Sequence, residues 1–141
     1  MKNEYLLGID SGTSKIKVIL FDTHGNEIRT VAKNSPVISS ENGIIEQDML
    51  ETWNLTVQCI SEVIYKSKVN PKLIKGVGVT GQGEGAWLVD KSGNPLINAI
   101  LWSDSRASKI VDKCNKSALR NKIREITGSF PYAGATTFIL K

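Results

Sequence analysis

The chain has 141 residues, of which 40% are apolar and 23% charged, and its net charge is +4. This composition is ordinary for a globular protein and is sufficient for one domain with its own core. No apolar run approaches the roughly 20 residues that cross a bilayer, which excludes an integral membrane protein of the helical type. The first apolar segment contains Asp10, unlike a signal-peptide core, so we expect a cytoplasmic protein without a membrane partner.

Three short strands are predicted at the N-terminus. Residues 5–9 are an apolar run, typical of a strand buried on both faces, and residues 15–20 alternate between polar and apolar side chains. The turn-forming residues 22–26 separate this second strand from a third over residues 27–33. Sequential strands joined by tight turns predict an antiparallel meander.

A helix over residues 48–67 is predicted next. Asp48 and Glu51 have the spacing of a capping box at its start. Apolar residues follow at helical spacing: Met49, Trp53, Val57, Ile60 and Ile64. Asn70-Pro71 then marks a break, and residues 74–81 are predicted to form a buried strand.

The second half of the chain contains further short strands and helices. Its predicted elements are strands over 85–89 and 96–102, joined by a turn over 90–95, and helices over 107–114, over 117–127 and from 136 onward. Together with the first half, this order predicts an α/β fold class, in which a mixed sheet has an antiparallel meander at its edge and helices on its flanks.

The first cluster with chemical potential is the segment 10–17, Asp-Ser-Gly-Thr-Ser-Lys-Ile-Lys, at the turn between the first two strands. Successive backbone N–H groups around Gly12 would form a concave anion site, to which hydroxyl groups and Lys17 add donors and positive charge. Asp10 is suited to hold Mg²⁺ through water. These are the groups that a nucleotide phosphate needs, although local composition alone is equally compatible with a polar hairpin turn.

Two rival phosphate motifs can be compared with the sequence. The P-loop pattern is absent. Residues 76–81 match Gly-x-Gly-x-x-Gly, but these glycines fall within a predicted strand, and a helix does not follow. We therefore reject a dinucleotide site and infer that the glycines allow close approach of neighbouring backbone.

Two further clusters follow along the chain. Residues 81–85, Gly-Gln-Gly-Glu-Gly, expose backbone and leave room for a ligand, and Glu84 can accept hydrogen bonds from two sugar hydroxyls. In the second cluster, Trp102 offers an aromatic face to a sugar, with Asp104 and Arg106 close behind. The alternatives are a tight turn for the first cluster, and for the second a core tryptophan, an N-cap aspartate and an arginine paired with a nearby acid.

In this order the clusters resemble those of the FGGY carbohydrate kinases, which have the actin-like, ribonuclease-H-like ATPase fold. Residues 8–14 are similar to the first phosphate motif of that family, and residues 46–48 followed by Trp53 are similar to its next segment. Residues 78–82 and 101–106 are similar to the next two. The resemblance covers nearly the whole chain, and the ordered set is far more specific than any one motif.

The resemblance implies ATP and Mg²⁺ as cofactors and a small sugar or polyol as substrate. The residues implied to face the ATP phosphates and Mg²⁺ are Asp10, Ser11, Gly12, Thr13, Ser14 and Lys17, with Asp10 acting on the metal through water. The residues implied to face the substrate are Gln82, Gly83, Glu84, Trp102, Asp104 and Arg106.

The resemblance also indicates a branch of the kinase family and how much of a whole kinase this chain represents. The pattern around Glu84 is closer to kinases of L-xylulose or erythritol than to the Met-His of xylulose kinases or the Arg-Glu of glycerol kinases. Residues 130–132, Phe-Pro-Tyr, are a further candidate pocket segment. The catalytic aspartate of the family and its adenosine site are expected beyond Lys141. Residues 1–141 are thus expected to be an incomplete, substrate-side N-terminal domain that lacks the C-terminal domain and is inactive alone.

The predicted function is ATP-dependent phosphoryl transfer to a hydroxyl of a pentulose or small polyol. An alternative is another ATPase of the actin-like superfamily, such as an acetate-kinase-like enzyme, which would explain residues 10–14 but not the pocket clusters. An alternative of another class is a non-catalytic module that binds nucleic acid through basic helices. We expect no nucleic-acid partner, because acidic and polar residues interrupt the basic ones and no aromatics are interleaved. Self-association as a homodimer stays open.

Overall fold

The structure, a computed structural model, describes residues 4–140. Its elements in chain order are β1 (Tyr5–Ser11), β2 (Lys15–Asp22), β3 (Glu27–Asn34), β4 (Ile38–Ser39), β5 (Ile45–Gln47), α1 (Met49–Ser67), a 3₁₀ turn (Pro71–Leu73), β6 (Ile74–Gly81), β7 (Ala99–Ile100), α2 (Ser108–Asn115), α3 (Leu119–Thr127) and α4 (Thr136–Ile139). The chain divides into two compact units, one formed by Met1–Pro36 with Leu50–Gln82 and the other by Val37–Met49 with Gly83–Lys141.

The first unit is built on a four-stranded sheet with the order β3-β2-β1-β6. Strand β2 pairs antiparallel with both β1 and β3, whereas β6 pairs parallel with β1. The predicted strands 5–9, 15–20, 27–33 and 74–81 are therefore confirmed as strands, and so is the mixed sheet with an antiparallel meander at one edge. Their predicted burial is wrong in two places: β6 is mostly exposed, with Val77 at 59% and Val79 at 72%, and β1 is buried on one face only, since Leu6 is 44% exposed. The glycines of the Gly-x-Gly-x-x-Gly pattern lie inside β6, which agrees with rejection of a dinucleotide site.

One face of this sheet forms the hydrophobic core of the first unit. Leu7 and Ile9 of β1 lie opposite Leu20 and Val18 of β2, and all four are buried. Because side chains alternate between the two faces of a strand, these residues share one face. Helix α1 contributes Cys59 to the same cluster. The two-residue period of β1 and β2 therefore determines which face is covered and which stays exposed.

Helix α1 begins within one residue of its predicted start, but the side that it buries overlaps only partly with the predicted apolar stripe, of which Ile60 packs against the core. Cys59 and Val63 are buried and Leu55 packs against the same cluster, whereas Trp53 is 65% exposed. Residues 55, 59 and 63 are spaced by four and form one stripe along the helix. This stripe contacts the sheet, so Trp53 lies on another side of the helix.

The second unit contains a small sheet with the order β4-β5-β7. The predicted strands 85–89 and 96–102 are wrong for most of their length. Within the described residues one isolated bridge, between Ala86 and Ile100, joins the two segments, and a second joins Val89 to Pro95 in the predicted turn. Strand β7 pairs instead with β5, a segment for which no strand was predicted. The left-handed backbone of Gly85, with a φ of +88°, interrupts a regular strand at the start of the first segment.

Helices α2, α3 and α4 lie close to their predicted positions. Ser117 accepts a hydrogen bond at its Oγ from the Leu119 amide at 3.2 Å. Helix α3 ends at Gly128, whose φ is +74° and whose amide donates to the Arg124 carbonyl at 2.8 Å. Basic side chains on α2, α3 and the turn between them are exposed: Lys109, Lys113, Lys116, Arg120, Lys122 and Arg124. Residues 4–140 include no helix with the length and apolar character needed to cross a membrane.

Truncation of a core leucine tests the assignment of the core face. Leu20→Ala removes a side chain with no exposed surface, and we expect it to lower the free energy of unfolding by about 2–5 kcal/mol in urea denaturation. The control is Leu6→Ala, since Leu6 is 44% exposed and lies on the opposite face of the sheet. The control is expected to lose much less stability, and equal losses would contradict the assigned core face.

Candidate phosphate and substrate sites

The tip of the β1–β2 hairpin, residues 12–14, is the predicted phosphate site and lies in the first unit. Ser11 and Ile16 form the last pair of the hairpin. The Gly12 amide then donates to the Lys15 carbonyl at 3.1 Å. A Cβ on Gly12 would lie 3.0 Å from that carbonyl oxygen, so a side chain would crowd the turn. Glycine therefore avoids a close contact within this turn.

Charged and polar side chains line the exposed face of the sheet beside this tip. Asp10 lies opposite Lys17 of β2 and opposite Thr80 of β6. Residues that are directly opposite in register share a face, and this face is the reverse of the one that carries Ile9 and Val18. Asp10 and Lys17 are both exposed. The structure thus brings together a carboxylate suited to water-mediated Mg²⁺ contact and an ammonium suited to phosphate.

Gln82 lies beside the hairpin tip. The Thr13 hydroxyl donates to the Gln82 side-chain oxygen at 3.2 Å, and the Gln82 amide donates to the Ser11 carbonyl at 3.2 Å. The Ser14 carbonyl accepts a hydrogen bond from the buried Ser35 amide at 2.9 Å, and Ser14 itself is exposed. The sequence assigned Gln82 to the substrate group, whereas these contacts connect it to the predicted phosphate residues.

The predicted substrate residues Gly83 and Glu84 are exposed and belong to the second unit. Glu84 has a φ of +47°, and among the described residues Lys68 is the other non-glycine with a positive φ. Such a conformation is costly for a residue with a side chain and is often retained at functional sites. Gly85 follows in the same left-handed region, and a Cβ there would lie 2.5 Å from the Ile100 carbonyl.

Tyr132 contacts Glu84. Burial, followed by a hydrogen bond to Glu84 and the charge of that carboxylate, raises the pKa of Tyr132. The phenol is therefore protonated at neutral pH and donates to the carboxylate. Thr136 donates from its hydroxyl to the Gly85 carbonyl at 2.6 Å, which ties α4 to the same turn.

A cavity of about 260 Å³ lies beside this pair. Its lining includes the Glu84 carboxylate and several hydroxyl-bearing side chains: Thr127, Ser129, Tyr132, Thr136 and Thr137. Phe130, Pro131 and Phe138 supply apolar surface. Sites for small ligands combine an apolar lining with a few convergent polar groups, and this lining suits a small molecule with several hydroxyls.

Trp102 is a surface residue at 49% exposure, so the alternative of a core tryptophan is wrong. Its backbone is tightly enclosed: a Cβ on Gly134 would overlap the Trp102 carbonyl group. An exposed indole on a fixed backbone is suited to stacking against the carbon-bound hydrogens of a sugar. That stacking stays a prediction.

Asp104 is buried at 2% exposure, and both of its carboxylate oxygens accept hydrogen bonds within the chain. The Ile45 amide donates to Oδ2 at 2.8 Å and the Arg106 amide to Oδ1 at 2.9 Å, while Arg106 Nε lies 3.0–3.1 Å from both oxygens. Burial on its own would raise the pKa of Asp104, but these hydrogen bonds, first from the Arg106 side chain, hold it below the ordinary aspartate value.

The alternatives for Asp104 and Arg106 have different outcomes. Helix α2 begins at Ser108 with Ala107 in the cap position, so Asp104 as the N-cap is wrong. The alternative that Arg106 pairs with a nearby acid is confirmed. Besides its contacts with Asp104, its Nη2 lies 2.9 Å from Glu46 Oε1. Direct contact of either side chain with a sugar stays a prediction.

Glu46 and Tyr132 lie beside predicted site residues with which the sequence did not connect them. Glu46 stands in the Glu-Gln-Asp segment and Tyr132 in the Phe-Pro-Tyr segment, and both segments were noted only for their resemblance to the family. Local spacing gave no signal, because Glu46 is 60 residues from Arg106 and Tyr132 is 48 residues from Glu84.

Comparisons with known proteins identify the family of this chain. The family model described as "FGGY family of carbohydrate kinases, N-terminal domain" matches residues 5–141. The chain belongs to the FGGY family of carbohydrate kinases. It is 40% identical over 137 residues to a protein of Haemophilus influenzae named probable L-xylulose kinase, an alignment that covers 97% of this chain and 28% of that protein.

Solved FGGY structures share the fold. A xyloylose kinase from Brucella ovis aligns with a TM-score of 0.85 and 28% identity over 97% of this chain and 28% of that one. A Plasmodium falciparum glycerol kinase crystallised with ADP aligns with a TM-score of 0.86 and 26% identity over 98% of this chain and 28% of that one. The predicted actin-like ATPase fold is confirmed. The chain spans about 28% of the length of these FGGY relatives.

Two glycine substitutions test the geometry of the FGGY hairpin tip. Gly12→Ala is expected to lower the free energy of unfolding by more than about 1 kcal/mol, because the added Cβ crowds the Lys15 carbonyl. Gly78→Ala is the control, since nothing lies within 4 Å of a Cβ at that position. Denaturant unfolding of both variants measures the difference. A Gly12→Ala chain as stable as the Gly78→Ala chain would show that the turn does not need glycine.

Proposed function

We propose that this chain is the N-terminal, substrate-side part of a longer kinase that transfers the γ-phosphoryl group of ATP to a hydroxyl of a pentulose or small polyol. The observation that carries the proposal is the Glu84 carboxylate, held in a strained backbone, hydrogen-bonded by Tyr132 and placed at a cavity lined by hydroxyl groups. Membership of the FGGY family supports the same reaction class.

On this proposal, the hairpin tip holds the nucleotide phosphates. The backbone amides of residues 13 and 14 and the hydroxyls of Ser11 and Ser14 would donate hydrogen bonds to phosphate oxygens, and Lys17 would supply positive charge. The Gly12 amide and the Thr13 hydroxyl, which donate to Lys15 and Gln82, would hold the tip in shape. The exposed Asp10 carboxylate would hold Mg²⁺ through water, and the bound metal would neutralise phosphate charge. This donor set fits both cofactors, ATP and Mg²⁺.

The substrate side depends on Glu84. A carboxylate accepts hydrogen bonds only, so it can bind two adjacent hydroxyls of a polyol and orient the one that reacts. Tyr132 fixes the carboxylate from one side, and Trp102 would stack on the carbon skeleton of the sugar. The chemistry of phosphoryl transfer depends mainly on such positioning and on stabilisation of charge.

We propose a ketopentose such as L-xylulose rather than glycerol as substrate. Gly83 stands where the Arg-Glu of glycerol kinases has its arginine, and nothing lies within 4 Å of a Cβ on Gly83. This open space leaves room for a longer substrate. The relative from Haemophilus influenzae that is 40% identical is named a probable L-xylulose kinase, which supports this choice.

The 141-residue chain alone is expected to transfer no phosphate. This expectation follows from the family resemblance, which implies that the catalytic base is an aspartate in a later segment of the longer kinase. Detectable pentulose phosphorylation by the pure chain would contradict this expectation. We also propose a cytoplasmic location, as expected from the sequence.

Substitutions in the longer kinase separate the two sites. Asp10→Asn is expected to lower kcat by at least about 100-fold while the affinity for the sugar stays within a few-fold, since Asp10 acts on the nucleotide and metal. Glu84→Gln is expected to raise the KM for the sugar by about tenfold or more, with the KM for ATP unchanged. A coupled assay of ADP release with pentuloses and polyols measures both. Unchanged turnover in Asp10→Asn would remove Asp10 from the mechanism.

A side chain at position 83 tests the choice of substrate. Gly83→Arg is expected to fold, because space surrounds the position, and to lower kcat/KM for L-xylulose relative to glycerol by about tenfold or more. Gly83→Ala is the matched control and is expected to keep the pentulose preference. A preference that does not change with the arginine would argue against the space at Gly83 as a determinant of specificity.

The two rival functions make different predictions. An acetate-kinase-like ATPase would release ADP at a rate that does not depend on added pentulose. A nucleic-acid-binding module would bind DNA or RNA with an affinity that falls steeply as salt increases. A thermal-shift panel of pentuloses, tetritols and aldonates on the longer kinase identifies the substrate class, since a ligand that binds the native state raises apparent stability.

A further inference from the structure

Three charged residues of the second unit form a network that takes no part in the chemistry proposed above. Arg106 lies at its centre, with Nε bonded to both Asp104 oxygens at 3.0–3.1 Å and Nη2 at 2.9 Å from Glu46 Oε1. Glu46 accepts a further hydrogen bond at Oε2 from the Asn98 side chain at 3.1 Å. We call Glu46, Asp104 and Arg106 the carboxylate clamp.

The carboxylate clamp joins segments that are distant in sequence. Glu46 belongs to β5, and the Ile45 amide donates to Asp104. The Leu101 amide donates to the Ile45 carbonyl at 2.9 Å, and the Asp104 amide donates to the Leu101 carbonyl at 3.0 Å. Trp102 therefore lies inside a short turn that is fixed on both sides, by the pairing of Leu101 with β5 and by the clamp.

Asp104 of the carboxylate clamp and the neighbouring Trp102 differ in solvent exposure. The Asp104 side chain is 1% exposed and both of its oxygens are occupied, whereas Trp102 is 49% exposed. A carboxylate in this state has little capacity left for a sugar hydroxyl. The Trp102 side chain, in contrast, is exposed on the surface of this turn.

We propose that the carboxylate clamp is a positioning device that holds the Trp102 indole at the substrate face, and that Asp104 and Arg106 do not touch the sugar. The proposal rests on the proposed function for its consequence in catalysis. A guanidinium suits this role because its planar array of donors can bridge two carboxylates in a fixed geometry. Lysine keeps the charge but has no such fork, so Arg106→Lys separates geometry from charge.

The first test uses the 141-residue chain and its three tryptophans. The indole N–H resonances of Trp53, Trp87 and Trp102 report separately in an ¹H–¹⁵N spectrum. In Arg106→Lys we expect the Trp102 resonance to shift or broaden while Trp53, on α1 in the first unit, keeps its position. Arg29→Lys, an exposed arginine of β3, is the matched control and should leave all three unchanged. An unmoved Trp102 resonance in Arg106→Lys overturns the proposal.

Glu46→Gln provides a milder variant in case substitution of Arg106 prevents folding. It keeps the shape of the side chain and removes the charge that faces Arg106, and the Glu46 side chain is 19% exposed, whereas that of Asp104 is 1% exposed. We expect the same Trp102 resonance to shift, by less than in Arg106→Lys. The Glu46→Gln, Arg106→Lys double variant should shift it no further than Arg106→Lys alone, because one network is already broken. Additive shifts would mean that the two residues act independently.

The second test is kinetic and uses the longer kinase. Arg106→Lys is expected to raise the KM for the pentulose by about tenfold, with kcat within about threefold and the KM for ATP unchanged. A large loss of kcat at unchanged KM would show that Arg106 acts on the reacting groups and would overturn the proposal. If the wild-type kinase does not phosphorylate any pentulose or polyol, the proposed function fails, while the tryptophan resonances still decide whether the clamp positions Trp102.

Discussion

The pairing of β1 with β2 on one side and with β6 on the other is the constraint on which the first unit depends. It buries Leu7 and Ile9 under α1, and the two-residue period of the strand then directs Asp10 to the opposite face. A shift of one residue in register would exchange these faces and bury the carboxylate. The free energy of the hydrophobic core therefore determines the orientation of the residues that we assign to phosphate and metal.

The second unit depends on close backbone contacts more than on a large sheet. Its strands are two or three residues long. Glycines permit its turns: Gly43 has a φ of +74° and lies against Ser105, Gly85 lies against the Ile100 carbonyl, and Gly134 lies against Trp102. Side chains at these positions would separate the segments that carry Glu84 and Trp102. The geometry of the candidate substrate site thus follows from residues that have no side chain of their own.

The regular elements could be predicted from the sequence because their signals are local. The alternation in β2, the helical spacing in α1 and the glycine after α3 each act within a few residues. The hairpin tip was predicted for the same reason, since Asp10 to Lys17 lie on adjacent strands joined by a tight turn.

The parts that could not be predicted depend on contacts distant in sequence. The pairing of β5 with β7 joins segments about 50 residues apart, and β5 has three residues, too few for a pattern. The side of α1 that becomes buried depends on where the sheet lies: of the predicted apolar stripe, Ile60 packs against the core, whereas Trp53 and Val57 are exposed. Tyr132 and Glu46 are distant in sequence from Glu84 and Arg106, and the fold brings them together. The family resemblance supplied part of what local rules could not, because it compares the order of segments along the whole chain.

Two carboxylates of the second unit, Glu84 and Asp104, have different surroundings, which suit one to bind a ligand and the other to stabilise the fold. Asp104 is buried, accepts hydrogen bonds at both oxygens and is paired with a guanidinium, so removal of its charge would leave donors without a partner. Glu84 is exposed, sits on a left-handed backbone and has capacity to accept further hydrogen bonds beside its contact with Tyr132. The hydrogen bonds of Asp104 stabilise the fold, whereas the left-handed backbone of Glu84 costs some stability. This contrast is why we propose Glu84, and not Asp104, as the carboxylate that binds the substrate.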